Sequence, residues 1–193
     1  MKSMCVFCGS SIGRDPAYAD AARRLAAAGV ERGLRVVYGG GSVGLMGVLA
    51  DAVLAAGGEI TGVIPRTLWE REVGHRGLSE LRIVDTMHER KALMAELSDA
   101  FVALPGGIGT LDEFFEIWTW AQLGVHQKPC GLLNVCGYFD PLLAFLRHTV
   151  EQQFLRRDYY EMMLTSAEVD ELLEKMAAYA APTVPKWLDR GAL

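Results

Sequence analysis

The sequence predicts an α/β domain, doubly wound, with a mainly parallel sheet and helices on both faces. Two observations carry that prediction. Short runs of branched apolar residues alternate with longer amphipathic stretches, the pattern of parallel strands joined by helical crossovers. Three strand-to-helix junctions are also rich in glycine or small polar residues: "CGSSIG", "YGGGSVGLMG" and "LPGGIGT". In open parallel sheets those junctions are where ligands sit.

The elements follow in order along the chain. Met4–Phe7 reads as the first strand. In "DPAYADAARRLAAAGVERG", Asp15 is the N-cap, Pro16 takes the first helical position and Gly33 ends the helix. Tyr18, Ala22, Leu25 and Gly29 share one face of it. A second strand, Arg35–Tyr38, leads to a helix from about Val43 to Ala56, stopped by Gly57-Gly58. Ile60–Ile64 and Leu81–Val84 read as the third and fourth strands. A helix from Met87 to Leu97 precedes the strand Ala100–Leu104, and Gly109 to Leu123 forms the next helix. Gly131–Val135 is a further strand, followed by a helix from about Pro141 to Phe154. Thr165-x-x-Glu168 has the form of a capping box opening a last helix to about Ala180. Residues 182–193 read as a surface tail on a single domain spanning 1–193.

Composition narrows the function. A chain of 193 residues with 51% hydrophobic and 22% charged residues is of ordinary globular type. A net charge of -5 argues against nucleic acid as a partner. No apolar run reaches a membrane span, and "MKSMCVFCGSS" makes a poor signal peptide, so the expectation is a cytoplasmic chain with no membrane partner. Cys5 and Cys8 form a C-x-x-C, yet residues three apart on a strand point to opposite faces. Cys5, Cys8, Cys130 and Cys136 are expected to be buried free thiols. His75, His88, His126 and His148 are scattered without ligand spacing, and no metal site is expected.

The loops carry the chemistry. In "LPGGIGTLDEFFEIWTWAQ", Pro105 stops a strand and Gly106-Gly107 can turn without a Cβ clash. The helix that follows presents unpaired N–H groups and its positive dipole end. Gly109 lets a ligand approach the backbone and Thr110 adds a hydroxyl, which together make a phosphate cradle. A glycine-rich loop taken alone is equally what a tight turn requires, but two more such loops at one sheet edge favour a nucleotide-like ligand. Gly9, Ser10, Gly40, Gly41 and Gly106 are the candidate contacts they supply. "YGGGSVGLMG" matches neither the dinucleotide fingerprint nor the G-x-x-x-x-G-K-[ST] loop. Asp112 and Glu113 fall in the first helical turn, where the dipole favours carboxylates and lowers their pKa; helix capping is the alternative role. Arg90 and Lys91 stand early in their own helix, where cations oppose the dipole. They serve either as anion ligands or as a solvated face.

Taken together, "PGGIGTLDE", "MHERKALM", "CVFCGSS", "VYGGGSVGLMG" and "TWAQLGVHQKPCGLLNV" resemble the LONELY GUY (LOG) family, the cytokinin riboside 5′-monophosphate phosphoribohydrolases. The first two fit P-G-G-x-G-T-x-x-E and M-H-x-R-K-x-x-M, and the resemblance runs from Cys5 to about Thr165. It implies a Rossmann-like homodimer with no cofactor. Such an enzyme hydrolyses the N-glycosidic bond of N6-substituted adenosine monophosphates, giving free base and ribose 5-phosphate. By resemblance, Arg90 and Glu113 are the catalytic pair. Glu72, Lys91, Gly107, Ile108, Gly109, Thr110, Leu111, Asp112 and Thr119 match substrate-binding positions. An ionised Glu113 of low pKa would stabilise the oxocarbenium-like sugar. Met94, Trp118, Trp120 and Leu123 are the candidates for an apolar N6 pocket. A pyridoxal-dependent lysine decarboxylase, an older label for some members, has no supporting sequence feature. The alternative of another class is a non-catalytic nucleotide or molybdenum-cofactor carrier of the same fold type.

Overall fold

The computed structural model describes residues 1–71 and 74–182. Glu72 and nearly all of the expected surface tail, 183–193, lie outside the described residues. The elements run β1 (Ser3–Phe7), α1 (Pro16–Glu31), β2 (Arg35–Tyr38), α2 (Gly44–Ala55), β3 (Ile60–Pro65), α3 (Arg66–Trp69) and β4 (Glu80–Val84). They continue with α4 (Met87–Glu96), β5 (Phe101–Ala103), α5 (Ile108–Gln122), β6 (Cys130–Leu133), α6 (Asp140–Glu151), α7 (Arg157–Glu161), β7 (Met163–Ser166) and α8 (Val169–Ala177). The strands form one parallel sheet in the order β4-β3-β2-β1-β5-β6-β7. No helix among the described residues is long and apolar enough to cross a membrane.

Alternation along the central strands feeds two apolar layers. Met4 and Val6 of β1 face the core beneath α1, α2 and α8, while Cys5 and Phe7 face the one beneath α4, α5 and α6. Strands covered on both faces must be apolar throughout, which is why "MCVF" and "FVAL" carry no polar residue. Cys5 and Cys8 fall in opposite layers, as their spacing requires. Cys5, Cys8 and Cys130 are buried free thiols; Cys136 is exposed, against the expectation of four buried ones.

The start of α1 matches its sequence signals: Asp15 accepts from the Ala17 N–H at 2.9 Å and Gly33 is left-handed at φ 67°. The end of the chain does not. Thr165 belongs to β7, which pairs with β6, and α8 begins only at Val169 with Glu168 as its N-cap. No capping box forms: the Ser166 hydroxyl instead closes a local turn ahead of the helix, accepting from the Glu168 N–H at 3.0 Å and donating to the Glu171 carboxylate. A four-residue edge strand has too little pattern to announce itself, and the open edge of β6 decided its conformation.

Candidate active site

The strand order places the crevice. The chain leaves β1 toward β2 on one side and leaves β5 toward β6 on the other, so the carboxyl ends of β1 and β5 form the switch point where ligands enter such sheets. The three small-residue loops meet there. Gly9 N–H donates to the Pro105 carbonyl at 3.1 Å, and Leu45 N–H donates to the Gly9 carbonyl at 3.0 Å. Two adjoining cavities open at this point, of about 290 and 260 Å³, sharing Ser10 and Gly107 in their walls. Arg90, Glu113, Asp112, Thr110 and the Gly107–Gly109 backbone line the first; Gly9, Gly106, Tyr18 and Tyr138 are among the walls of the second.

Arg90 reaches the cavity because α4 starts firmly. Thr86 caps it by accepting from the Glu89 N–H at 3.1 Å, and the Glu89 carboxylate accepts from the Asp85 N–H at 2.9 Å. That reciprocal capping stabilises a helix start that Arg90 and Lys91 oppose. The Arg90 guanidinium is buried against Gly39, where a Cβ would collide with Nη2. It stands 3.3 Å from Glu113 Oε1, with side-chain exposures of 10% and 12%. A tight charge-assisted bond is about 2.7–2.9 Å, so this pair leaves donors available, and Arg90 Nε has no partner among the described residues.

Glu113 corrects the sequence expectation. α5 begins at Ile108, which puts Asp112 and Glu113 beyond the first turn, where the dipole effect fades. Burial dominates instead and raises the Glu113 pKa; Arg90 pulls it down, and the neighbouring Asp112 charge pushes it up again. Lys91 is held between Glu116 at 2.9 Å and Asp112 at 3.2 Å. Burial alone would lower its pKa, but the two paired carboxylates together outweigh burial and raise it.

The start of α5 has no side-chain cap, so its first N–H groups are open to a ligand. Neither Gly107 nor Gly109 has a positive φ, and a Cβ on either would meet nothing within 4 Å. The folded chain itself does not need glycine there; a ligand lying against the backbone would. Alanine at position 109 is therefore expected to raise stability by as much as about 0.5–1 kcal/mol. The same change should weaken nucleotide binding roughly tenfold, about 1.4 kcal/mol. Thermal melts and calorimetric titration with AMP check the opposed signs, and unchanged affinity would remove the close approach.

Other expected contacts lie elsewhere. Gly40 and Gly41 are bonded to the loop after α3, through His75 N–H to Gly40 O at 2.9 Å and a Gly41–Gly74 bridge. Leu111 packs on the core, and the Thr119 hydroxyl donates to the Phe115 carbonyl at 2.7 Å on an exposed face of α5. Of the four N6-pocket candidates, Met94 and Trp118 are core side chains; Trp118 Nε1–H donates to the Tyr159 carbonyl at 3.1 Å. They are apolar at helical spacing because they face the sheet. Trp120 is half-buried against the same core and Leu123 is exposed. The apolar side chains that do line the Arg90–Glu113 cavity are Met46, Met87 and Ile108, with the Cys8 thiol. Met46 and Met87 stand inside the quoted motifs, and that position was the available signal for them.

An uncapped helix start and a buried Arg–Glu pair, at the switch point of a parallel sheet, place the chain among Rossmann-like α/β proteins with an anion-receptive crevice. The comparisons agree in fold. The molybdenum cofactor binding protein of Rippkaea orientalis superimposes with a TM-score of 0.70 at 18% identity, covering 92% of this chain and 97% of that one. The molybdenum cofactor carrier protein MCP of Chlamydomonas reinhardtii gives 0.68 at 17%, covering 92% and 99%. At such identity the likeness concerns the fold alone. Sequence similarity goes further. The family described as "Possible lysine decarboxylase" matches residues 46–176. The cytokinin riboside 5′-monophosphate phosphoribohydrolase LOG of Oryza sativa subsp. japonica is 49% identical over 178 residues, 92% of this chain and 74% of that protein. LOG5 of Arabidopsis thaliana is 49% identical over 178 residues, 92% and 78% respectively. The chain belongs to the LOG family.

Proposed function

We propose that this chain hydrolyses the N-glycosidic bond of N6-substituted adenosine 5′-monophosphates, and of AMP beside them, to the free base and ribose 5-phosphate. The observation that carries the reading is the buried Arg90–Glu113 pair beside the uncapped start of α5. The phosphate sits on the N–H groups of Gly107–Thr110, with Arg90 donors beside it. Glu113 then faces the sugar. Its raised pKa replaces the low one expected from the dipole, and the replacement suits the chemistry: a desolvated carboxylate is a stronger base toward the attacking water. Its charge also acts with little screening on the developing oxocarbenium ion. Lys91 is shared by Asp112 and Glu116, so its single charge offsets part of the negative charge those two carboxylates place beside an anionic substrate. Those ion pairs raise the Lys91 pKa, the reverse of what a Schiff-base lysine needs, so the decarboxylase description gains no support from it.

On the same reading the chain is a single domain acting in the cytoplasm as a homodimer. The exposed Leu123 and Val125 at the end of α5, near the exposed face carrying Thr119, support a partner surface. Light scattering on the purified chain decides the mass.

A chromatographic assay with isopentenyladenosine 5′-monophosphate, AMP and isopentenyladenosine tests the function. Phosphate binding fixes the reacting carbon against Glu113, so the nucleoside should turn over more slowly as well as bind more weakly. A rate loss of about 10²-fold or more is expected from lost positioning. Equal turnover of nucleoside and nucleotide would sink the phosphate role. Tight nucleotide binding without any free base would return the carrier reading.

A further inference from the structure

The segment leaving β6 contains two consecutive left-handed residues, Cys136 at φ 51° and Gly137 at φ 70°. A non-glycine residue in that region is costly and persists only where its surroundings fix it. Here Asn134 does so: its Oδ1 accepts from the Phe139 N–H at 2.7 Å, its Nδ2 donates to Asp140 at 2.8 Å, and its carbonyl accepts from the Gly137 N–H at 3.2 Å. What the strained turn delivers is Tyr138. Its hydroxyl donates to the Gly106 carbonyl at 2.7 Å, and its ring meets Tyr18 edge-on at 5.6 Å and Phe139 at 5.0 Å.

Gly106 C=O and Gly107 N–H belong to one trans peptide unit and point in opposite directions. The bond that fixes the carbonyl toward Tyr138 therefore aims the Gly107 N–H away from it. Gly107 is the N-cap of α5 and lies in the wall shared by the two cavities, whereas Tyr138 lines only the second. The preceding carbonyl, Pro105 O, is occupied by Gly9 N–H. Both carbonyls of the turn are thus engaged.

We propose that Tyr138 is a positioning residue for the phosphate: by holding the Gly106 carbonyl it directs the Gly107 N–H at the anion on the start of α5. The inference rests on the phosphate reading above. Tyr138→Phe removes the hydroxyl and keeps the aromatic contacts. Calorimetric titration of both chains with AMP, ribose 5-phosphate and adenosine reads the effect, with thermal melts alongside. AMP and ribose 5-phosphate should bind about 3–10-fold more weakly to the variant, the scale of one hydrogen bond. Adenosine affinity should stay unchanged, and the melting midpoint should fall by no more than about 2–4 °C, the scale of one hydrogen bond in a chain of this size. Equal weakening of adenosine or unchanged phosphate affinity each overturns the proposal, as does a wild-type chain that binds neither phosphate compound. If AMP binds with the expected difference but is never cleaved, the hydrolase reading fails while Tyr138 keeps its role.

Discussion

Glu113→Gln is expected to lower turnover of isopentenyladenosine 5′-monophosphate about 10²–10⁴-fold, the range for losing a positioned acid–base group, while nucleotide affinity stays within a few-fold. The amide has the carboxylate's size and still reaches Arg90, but it accepts no proton and carries no charge toward the sugar. The same variant should be more stable than the parent at neutral pH, for a reason visible in the burial. Desolvation raises the Glu113 pKa above its ordinary 4.5 in spite of Arg90. The folded chain therefore holds that proton more tightly than the unfolded one. The stabilising contribution is fully present below the unfolded value and is lost as pH rises through the raised folded value. Glutamine cannot ionise and escapes the loss. The difference in melting midpoint, variant minus parent, should grow from below pH 4.5 toward neutrality. A flat difference would show that Glu113 is not desolvated in the native chain, and parent-like turnover would remove it from the chemistry.

Arg90→Lys should lower kcat/KM about 10²–10³-fold, the cost of a lost preorganised donor, even though the charge is kept. The guanidinium presents its nitrogens in a fixed plane: Nη2 stands by Glu113, Nη1 lies 3.8 Å from the Met87 sulfur, and Nε has no partner among the described residues. One ammonium on a flexible stem cannot hold Glu113 and offer directed donors to a phosphate together. Arg90→Met goes further, because it removes the one influence that lowers the Glu113 pKa most. The acid limb of the kcat/KM profile should then move to higher pH, together with a rate loss at least as large. If the lysine variant matched the parent in kcat/KM, the role of Arg90 would reduce to charge alone.

Much of the fold was legible because the signals are local. Branched runs such as "RVVY" and "FVAL", the Asp15-Pro16 start and the Gly33 stop of α1 each act over a few residues. β7 and the short helices α3 and α7 were not legible. Four or five residues hold too little periodicity, and β7 exists because β6 offers it an open edge. The Thr165-x-x-Glu168 pattern forms no capping box, because Thr165 is drawn into β7 and Glu168 becomes the N-cap of α8.

The site divides in the same way. The sequence by itself determined the three small-residue loops, the uncapped glycine start of α5, and the presence of Arg90 and Glu113 in motifs that identify the family. Tertiary structure decided what those residues experience. The Glu113 pKa rises because burial, a sum over neighbours distant in sequence, exceeds a dipole effect that fades within one turn. Met94 and Trp118 turned out to be core because helical spacing shows which residues share a face, and only packing shows what that face meets. Tyr138 had no signal at all: it reaches Gly106 across 32 residues, through a turn whose left-handed backbone no residue pattern announces.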